Sequence, residues 1–299
     1  MLKVEHLTKV YPNGTVALKD VSFEVPDGQF LVVIGLSGSG KSTLLRCINR
    51  LVDPTEGRIL WDGEDITAAN PRQLRAIRRH IGMVFQQFNL VKRSTVMTNV
   101  LSGRLGYVSP WASLLGIWPR AERERALRAL ERVGIAEKAG ARADALSGGQ
   151  QQRVGIARTL MQEPRLLLAD EPVASLDPVL AHTILQYLEA LNKTDGVTVI
   201  CSLHFLDLVQ RYATHVIALK DGVKVFEGQP AEINRARFKE IYGEEAQEVR
   251  AAALETAGPE GAAMIDETLS GAAPAEDAPG TSGADGGAAS GRRTGGSGG

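Results

Sequence analysis

A glycine-rich loop near the start of the chain carries the residue types that bind phosphate. The residues from Gly35 to Ser42 follow the pattern G-x-x-x-x-G-K-S. The apolar run Phe30–Ile34 before the loop predicts a buried strand, and Ser42–Ile48 after it predicts the start of a helix. A strand, a loop of this spacing and a helix form the arrangement that wraps the backbone around a phosphate chain.

Each residue type in this loop suits a phosphate chain. Gly35, Gly38 and Gly40 can adopt backbone angles that a Cβ atom forbids, so successive N–H groups can turn toward an anion. The N-terminus of the following helix adds positive potential. Lys41 can reach the β- and γ-phosphates, and Ser42 can offer its hydroxyl to Mg²⁺. The sequence therefore predicts a nucleotide site, with these phosphate-binding candidates: Gly35, Ser37, Gly38, Ser39, Gly40, Lys41, Ser42 and Thr43.

Two adjacent carboxylates follow another apolar run. Asp170 and Glu171 come directly after Arg165–Ala169, which predicts a buried strand. Many strands end in carboxylates, so the pair is informative only because the same chain has a phosphate loop. In that context Asp170 would hold Mg²⁺, usually through water, and Glu171 would polarise the attacking water.

A second anion-binding motif lies between these two. The stretch Leu146–Gln150 reads L-S-G-G-Q and precedes a predicted helix, Gln151–Leu160. Ser147, Gly148 and Gly149 at a helix N-terminus form a second anion cradle. One nucleotide in one chain has no use for two such cradles, whereas two chains arranged head-to-tail can complete each other's sites. The pair of motifs therefore predicts a head-to-tail homodimer.

Together these motifs resemble the nucleotide-binding subunit of an ATP-binding cassette (ABC) transporter. The likeness covers about residues 1–240 in the order that the family has, and it adds Gln86, Ser175-Leu176-Asp177 and His204. It implies an α/β fold with a P-loop NTPase (RecA-like) core, an N-terminal antiparallel β subdomain and an inserted α-helical subdomain at about 88–160. All of these would lie within one domain at residues 1–244.

The resemblance also implies roles for single residues. Gln86 would link Mg²⁺ and the attacking water to the helical subdomain, Asp177 would contact the opposite phosphate loop, and His204 would contact the γ-phosphate. Tyr11 would stack on adenine, although on the residues alone strand packing is an equal alternative. The implied catalytic residues are Lys41, Gln86, Glu171 and His204, the implied Mg²⁺ ligands are Ser42, Gln86 and Asp170, and the further nucleotide-binding residues are Tyr11, Ser147, Gly148, Gly149, Gln150 and Asp177.

Further segments resemble one branch of the family. Met83–Leu90 is similar to importers that work with a periplasmic or lipid-anchored binding protein, including those for polar amino acids and phosphonates. Asn99–Gly106, with Trp111 and Ser113–Gly116, looks like the ATPase of phosphonate importers, and Glu171–Pro178 agrees with it. The resemblance implies an ATPase that uses ATP and Mg²⁺ to drive uptake of a phosphonate or a related oxyanion such as phosphite or phosphate.

By the same resemblance the partners are a second copy of the chain, two membrane permease subunits and an extracytoplasmic solute-binding protein, at the cytoplasmic face of the cell membrane. The net charge of −1 offers no basic field for nucleic acid, and no apolar run is long enough to predict a membrane span. Three rival interpretations remain: an importer ATPase for another solute such as a polar amino acid, a soluble cassette ATPase acting on DNA or ribosomes, and a non-hydrolysing nucleotide-gated scaffold.

Three other segments give weaker expectations. Leu105–Trp118 carries no charge, so it is either local core or an apolar surface for a partner, and the family resemblance favours the partner. The hairpin Val216–Leu219 and Val223–Phe226 is expected to close the fold. Residues 245–299 are predicted to be an Ala/Gly-rich disordered tail, because half of the residues from 250 onward are Ala or Gly and none is aromatic. Cys47 and Cys201 lack metal-ligand spacing and are predicted to be buried structural thiols.

Overall fold

A computed structural model of the chain describes residues 1–109, 111, 116–174 and 176–243. The predictions that concern residues 113–115, Ser175 and the 245–299 segment therefore lie outside the described residues. The strands are β1 (Leu2–Val10), β2 (Val16–Val25), β3 (Phe30–Ile34), β4 (Glu56–Trp61), β5 (Glu64–Asp65), β6 (Ile81–Val84), β7 (Leu166–Ala169), β8 (Thr198–Ser202), β9 (His215–Lys220) and β10 (Val223–Gly228). The helices within the described ranges are α1 (Lys41–Ile48), α2 (Pro71–Arg78), α3 (Val96–Leu101), α4 (Arg120–Arg132), α5 (Gly148–Leu160), α6 (Pro178–Asp195), α7 (Leu206–Tyr212) and α8 (Arg235–Tyr242).

The strands form two sheets. A four-stranded sheet has the order β2-β1-β4-β5, and a six-stranded sheet has the order β10-β9-β3-β8-β7-β6. The smaller sheet is antiparallel, whereas β9, β3, β8, β7 and β6 run parallel to one another and only β10 is antiparallel. Every residue of β3 and β8 is buried, as expected for parallel strands covered on both faces. These layers confirm the predicted α/β fold with an N-terminal antiparallel sheet.

Two apolar clusters cover the two faces of the larger sheet. Alternate residues of β3 divide between them, with Phe30, Val32 and Ile34 in the first cluster and Leu31 and Val33 in the second. The first cluster also holds the buried faces of α4, α5 and α6, and the second holds those of α1 and the antiparallel sheet. The sheet is thereby fixed between helices on one side and the smaller sheet on the other. This arrangement holds the carboxyl ends of β3, β8, β7 and β6 along one edge.

The β9–β10 hairpin is present, but the expectation that it closes the fold was wrong. Helix α8 follows it and buries Phe238, Ile241 and Tyr242 in the first apolar cluster. The helix begins at Asn234, whose side chain accepts hydrogen bonds from two N–H groups in its first turn. The chain therefore returns to the sheet once more before the end of the described residues.

The uncharged stretch Leu105–Trp118 serves two purposes. Leu105, Trp111 and Ile117 are 52%, 75% and 60% exposed. Trp118 packs against the first apolar cluster, and the Tyr107 hydroxyl lies 3.0 Å from backbone carbonyls of two neighbouring segments. Among the described residues of the stretch, Tyr107 and Trp118 thus belong to the local packing, and Leu105, Trp111 and Ile117 present apolar surface.

Both cysteines are buried free thiols, as predicted. Burial raises the pKa of the Cys47 thiol to about 12 and also raises the pKa of Cys201, so neither sulfur is a reactive thiolate at neutral pH. Within the described ranges, none of the helices combines the length and the apolar character needed to cross a membrane.

Candidate functional site

The phosphate loop joins β3 to α1 through glycines, two of which leave no room for a side chain. A Cβ atom on Gly35 would lie 2.2 Å from the carbonyl oxygen of Leu219, and one on Gly40 would lie 2.4 Å from that of Ala17. The φ angles of Gly35, Gly38 and Gly40 are 141°, 80° and 105°, a range that side-chain-bearing residues rarely adopt. The loop therefore closes around its own centre only because these positions lack side chains.

Lys41 occupies the centre of this loop. Its side chain is 3% exposed, and its Nζ donates to the carbonyl oxygens of Gly35 at 2.8 Å and Leu36 at 2.9 Å. Nζ also lies 4.0 Å from Oε1 of Glu171. Burial lowers the pKa of Lys41 to about 8, and the nearby carboxylates of Glu171 and Asp170 act in the opposite direction. A bound phosphate chain would place negative charge beside this ammonium group and so favour its protonated form.

The oxygens suited to Mg²⁺ converge beside the loop. Ser42 Oγ donates to Oδ1 of Asp170 at 2.7 Å, and Arg46 Nη2 lies 3.3 Å from Oδ2. A hydroxyl and a carboxylate are the hard oxygen ligands that Mg²⁺ prefers, and this ion usually takes few protein ligands beside phosphates and water. Among the described residues, no cluster of three or more His, Cys, Asp or Glu side chains could form an all-protein metal cage. The residues present therefore fit a Mg²⁺ that is shared with a nucleotide.

Glu171 lies at the end of β7 in an unusual backbone conformation. Its φ is 47°, and its N–H donates to Oγ of Ser202, at the end of β8, at 2.8 Å. His204 Nε2 donates to Oε1 of Glu171 at 2.5 Å. The hydrogen bond from His204 is the main reason that the pKa of Glu171 lies below its usual value, with Lys41 contributing in the same direction. At neutral pH the carboxylate is therefore ionised and held between an imidazole and an ammonium group.

Two predicted residues lie at the margin of this cluster. The Tyr11 hydroxyl is 3.2 Å from Oγ1 of Thr43, at the far end of the phosphate loop, so the ring lies beside the loop as an adenine platform would. Gln86 follows β6, which pairs with β7, and its side chain is exposed. Its loop continues into Phe88 and Asn89, with φ angles of 52° and 50°. The stacking and water-linking roles of Tyr11 and Gln86 stay predictions.

The second cradle is the N-terminus of α5. Ser147 caps the helix by accepting from the N–H of Gln150, and the side chain of Gln150 accepts from the N–H of Ser147. Ser147 and Gly148 are exposed, whereas Gly149 packs so tightly that a Cβ atom there would lie 1.9 Å from Leu180. This end of the helix is therefore open to a group from outside the chain.

Asp177 caps α6 in the same manner, by accepting from the N–H of Leu180 at 3.0 Å. Its side chain is exposed. Across the described part of the chain, no hydrogen bond or ion pair joins Asp177 or the Ser147–Gln150 cradle to the phosphate loop. The fold of one chain thus brings together Lys41 and its carboxylates, and leaves the second cradle and Asp177 apart from them.

Sequence reasoning missed three residues that support the cluster. Ser202 anchors the backbone of Glu171, Arg46 faces Asp170, and Gln152 on α5 donates to the carbonyl oxygen of Pro172 at 2.8 Å. Arg46 follows Ser42 by one helical turn, and this spacing is a signal that could have identified it. No comparable spacing marks Ser202 or Gln152, because both reach backbone groups of a distant segment.

Comparison with known proteins agrees with this geometry. The sequence model of the family described as "ABC transporter" matches residues 18–174. The chain is 57% identical over 250 residues to "Phosphonates import ATP-binding protein PhnC" of Bdellovibrio bacteriovorus, and the match covers 83% of this chain and 96% of that protein. A protein of Halalkalibacterium halodurans, "Phosphonates import ATP-binding protein PhnC 3", is 52% identical with the same coverage.

Solved structures are similar as well. A dimeric ATP-binding cassette in a post-hydrolysis state with ADP and Pi is 37% identical, with a TM-score of 0.68 over 77% of this chain and 99% of that one. The cassette cbiO1 of Clostridium perfringens is 32% identical, with a TM-score of 0.67 over 88% and 98% of the two chains. The site geometry, the fold and these similarities lead to one conclusion: the chain belongs to the ABC transporter family.

Proposed function

We propose that this chain is the ATP-hydrolysing subunit of an importer for a phosphonate or a related phosphorus oxyanion. One observation carries the ATPase part of the proposal. Lys41, Asp170, Glu171 and His204 come from the ends of three neighbouring parallel strands, and contacts of 4.0 Å or less link Lys41 to Glu171 and Glu171 to His204. The cluster contains a phosphate-binding cation, an ionised carboxylate and an imidazole. These groups are the ones needed to catalyse phosphoryl transfer to water.

Each residue has a distinct role in hydrolysis. The Gly35–Thr43 backbone and Lys41 bind the phosphate chain, and Lys41 neutralises charge that develops on the γ-phosphate. Glu171, an ionised carboxylate hydrogen-bonded by His204, accepts a hydrogen bond from the attacking water and orients it. Ser42 and Asp170 would hold Mg²⁺, with Gln86 as a further ligand, and this ion would supply Lewis-acid stabilisation of the phosphate oxygens. His204 has a second ring nitrogen and lies beside the phosphate loop, so it can contact the γ-phosphate.

The site needs a second copy of the chain. Among the described residues, no hydrogen bond or ion pair joins the open N-terminus of α5, with Ser147, Gly148, Gly149 and Gln150, or the exposed Asp177 to the phosphate loop of the same chain. In a head-to-tail homodimer each cradle would complete the phosphate loop of the other chain, and ATP would lie between them. Binding of ATP then closes the dimer, and hydrolysis with phosphate release opens it.

The solute and the remaining partners are inferred from relatives. The curated relatives above carry names of phosphonate import proteins, and the matched region covers 96% of their own length. A subunit of such an importer acts with two membrane permease subunits and an extracytoplasmic solute-binding protein, peripherally at the cytoplasmic face of the membrane. The exposed apolar side chains of Leu105, Trp111 and Ile117 offer a surface for the permease. A polar amino-acid importer is the alternative.

The experiment that tests the proposal is solute-dependent ATP hydrolysis. The chain is reconstituted in lipid with a phosphonate permease and its binding protein, and hydrolysis is measured with alkylphosphonates, phosphite, phosphate and polar amino acids. Stimulation by a phosphonate or by phosphite supports the proposal. Stimulation by an amino acid alone would retain the ATPase mechanism and reject the solute. Absence of any hydrolysis would reject both.

A further inference from the structure

The catalytic carboxylate belongs to a strained turn. Glu171 has a φ of 47°, a conformation that costs a side-chain-bearing residue energy and persists only where the surroundings hold it. The N–H of Glu171 donates to Ser202 Oγ, its side chain accepts from His204, and its carbonyl oxygen accepts from the N–H of Ala174 at 3.3 Å. The peptide that follows, at Pro172, has no N–H of its own. Its carbonyl oxygen is the group through which a different element contacts the turn.

Gln152 reaches that carbonyl from a different element. It lies on α5, one turn after the Ser147–Gln150 cradle, and its side chain is 1% exposed. Nε2 donates to the carbonyl oxygen of Pro172 at 2.8 Å, and the orientation of the amide is unambiguous because a carbonyl can only accept. Among the residues that the structure describes, Oε1 is buried and has no hydrogen-bond partner. Burying an amide with an unsatisfied oxygen costs free energy. Loss of the hydrogen bond from Nε2 would add a second unsatisfied group to that cost.

We infer that Gln152 is a positioning residue for hydrolysis: it ties the Glu171–Pro172 turn to α5 and thereby sets the direction of the Glu171 carboxylate. The inference rests on the proposed role of Glu171. Helix α5 has two functions in this arrangement. Its N-terminus faces the nucleotide of the partner chain, and its second turn is hydrogen-bonded to the Glu171–Pro172 turn of its own chain. The orientation of Glu171 then depends on the position that α5 takes against the nucleotide of the partner chain.

The test compares variants of Gln152 in the reconstituted transporter. Gln152→Met keeps the length and volume of the side chain but has no donor, so we expect kcat for ATP hydrolysis to fall about tenfold while KM for ATP changes less than about twofold. In a Glu171→Gln background the same substitution should still permit ATP-driven dimerisation. Thr159→Val is the matched control, because Thr159 is equally buried on α5 and donates to β6 and to its own helix instead. It should retain wild-type kcat.

Gln152→Glu supplies a readout that a merely structural role would not move. An ionised carboxylate repels the Pro172 carbonyl, whereas a protonated one donates to it, and burial favours the protonated form. The activity of Gln152→Glu relative to wild type should therefore rise as the pH falls from about 8 to about 6. The inference is overturned if Gln152→Met hydrolyses ATP at the wild-type rate, if Thr159→Val loses as much activity, or if the Gln152→Glu ratio is the same at every pH. Wild-type hydrolysis in the same assay separates these results from failure of the proposed function.

Discussion

At the scale of single residues, the hydrogen bond between Glu171 and His204 influences the pKa and the orientation of the candidate catalytic carboxylate. The 2.5 Å hydrogen bond from His204 lowers the pKa of Glu171 and fixes one oxygen of an ionised carboxylate. Glu171→Gln removes the charge and keeps the shape. We expect the variant to bind ATP, to remain trapped as a closed dimer and to lose hydrolysis by several orders of magnitude.

Size-exclusion chromatography with and without ATP, together with a phosphate-release assay, measures both properties of Glu171→Gln. Glu124→Gln provides the control, since Glu124 lies on the surface and pairs only with Arg120 on its own helix. Turnover by Glu171→Gln at a rate near that of wild type would show that another group activates the water.

Lys41 makes the stability of the nucleotide-free chain change with pH in the alkaline range. Its pKa is lowered by burial to about 8 from an ordinary value of 10.5. Between these pH values the unfolded chain binds one more proton than the folded chain. The free-energy cost of burying the Lys41 ammonium therefore decreases as the pH rises. Relative to Lys41→Met, wild type should gain about 3 kcal/mol of unfolding free energy between about pH 7.5 and about pH 10.5.

Urea unfolding without nucleotide at several pH values measures this difference. Lys193→Met, at a surface lysine paired with Glu189, is the control, and its difference from wild type should not follow the same course. A constant difference between wild type and Lys41→Met across that pH range would mean that the ammonium is not destabilised in the loop.

The glycine-rich loop predicted Lys41, the end of an apolar run in a chain with such a loop predicted Asp170 and Glu171, and the family resemblance implied His204. The fold brings them together because the carboxyl ends of parallel strands meet at one edge of a sheet. Gln152 and Ser202 follow no such rule, because they bind backbone groups that only the finished fold brings near. The left-handed backbone conformation of Glu171 could not be predicted from the sequence either, since no glycine occupies that position.

At the scale of elements, α5 connects several parts of the site. Besides gripping Pro172 through Gln152, it donates through Arg158 to the carbonyl oxygens of Asn89 at 2.6 Å and Phe88 at 2.9 Å. Phe88 and Asn89 both have positive φ, so Arg158 holds a strained pair in the loop that follows Gln86. Burial lowers the pKa of this guanidinium, yet it stays charged at neutral pH.

Arg158→Met should release that loop. Two carbonyl oxygens lose charged donors, so the unfolding free energy should fall by about 1–3 kcal/mol, and hydrolysis should fall because the Gln86 loop no longer keeps one conformation. Chemical denaturation and ATPase assays measure the two effects. Arg153→Met on the same helix is the control, since the contacts of Arg153, 3.4 Å to the Gly134 carbonyl and 5.8 Å to the Tyr187 ring centroid, do not involve the Phe88–Asn89 loop. Equal denaturation midpoints for the two variants would contradict the role given to Arg158.

Elements were predictable where apolar runs are long, as in β3, β7 and β8. Helix α8 was missed although its signals are present, with Asn234 as a cap and with Phe238, Ile241 and Tyr242 at helical spacing. The division of Leu105–Trp118 between core and surface was not predictable, because an uncharged run shows no periodicity that tells buried from exposed positions. Packing against Arg79 and Gln162 decides it, and those partners lie far away in the sequence.

At the scale of the whole molecule, ATP hydrolysis is useful only if closure of the dimer reaches a membrane partner. The side chain of Trp111 is 75% exposed, and it is the largest side chain of the surface proposed above for the permease. Trp111→Ser should leave ATP binding and basal hydrolysis unchanged and should abolish stimulation by solute in the reconstituted transporter, because burial of an indole supplies much of the energy of a docking surface. Val223→Ser, which removes an exposed apolar side chain from β10 where Val223 is 41% exposed, should keep full stimulation. Solute-stimulated hydrolysis and co-purification of the permease measure both variants. Normal stimulation in Trp111→Ser would assign the permease contact to another surface.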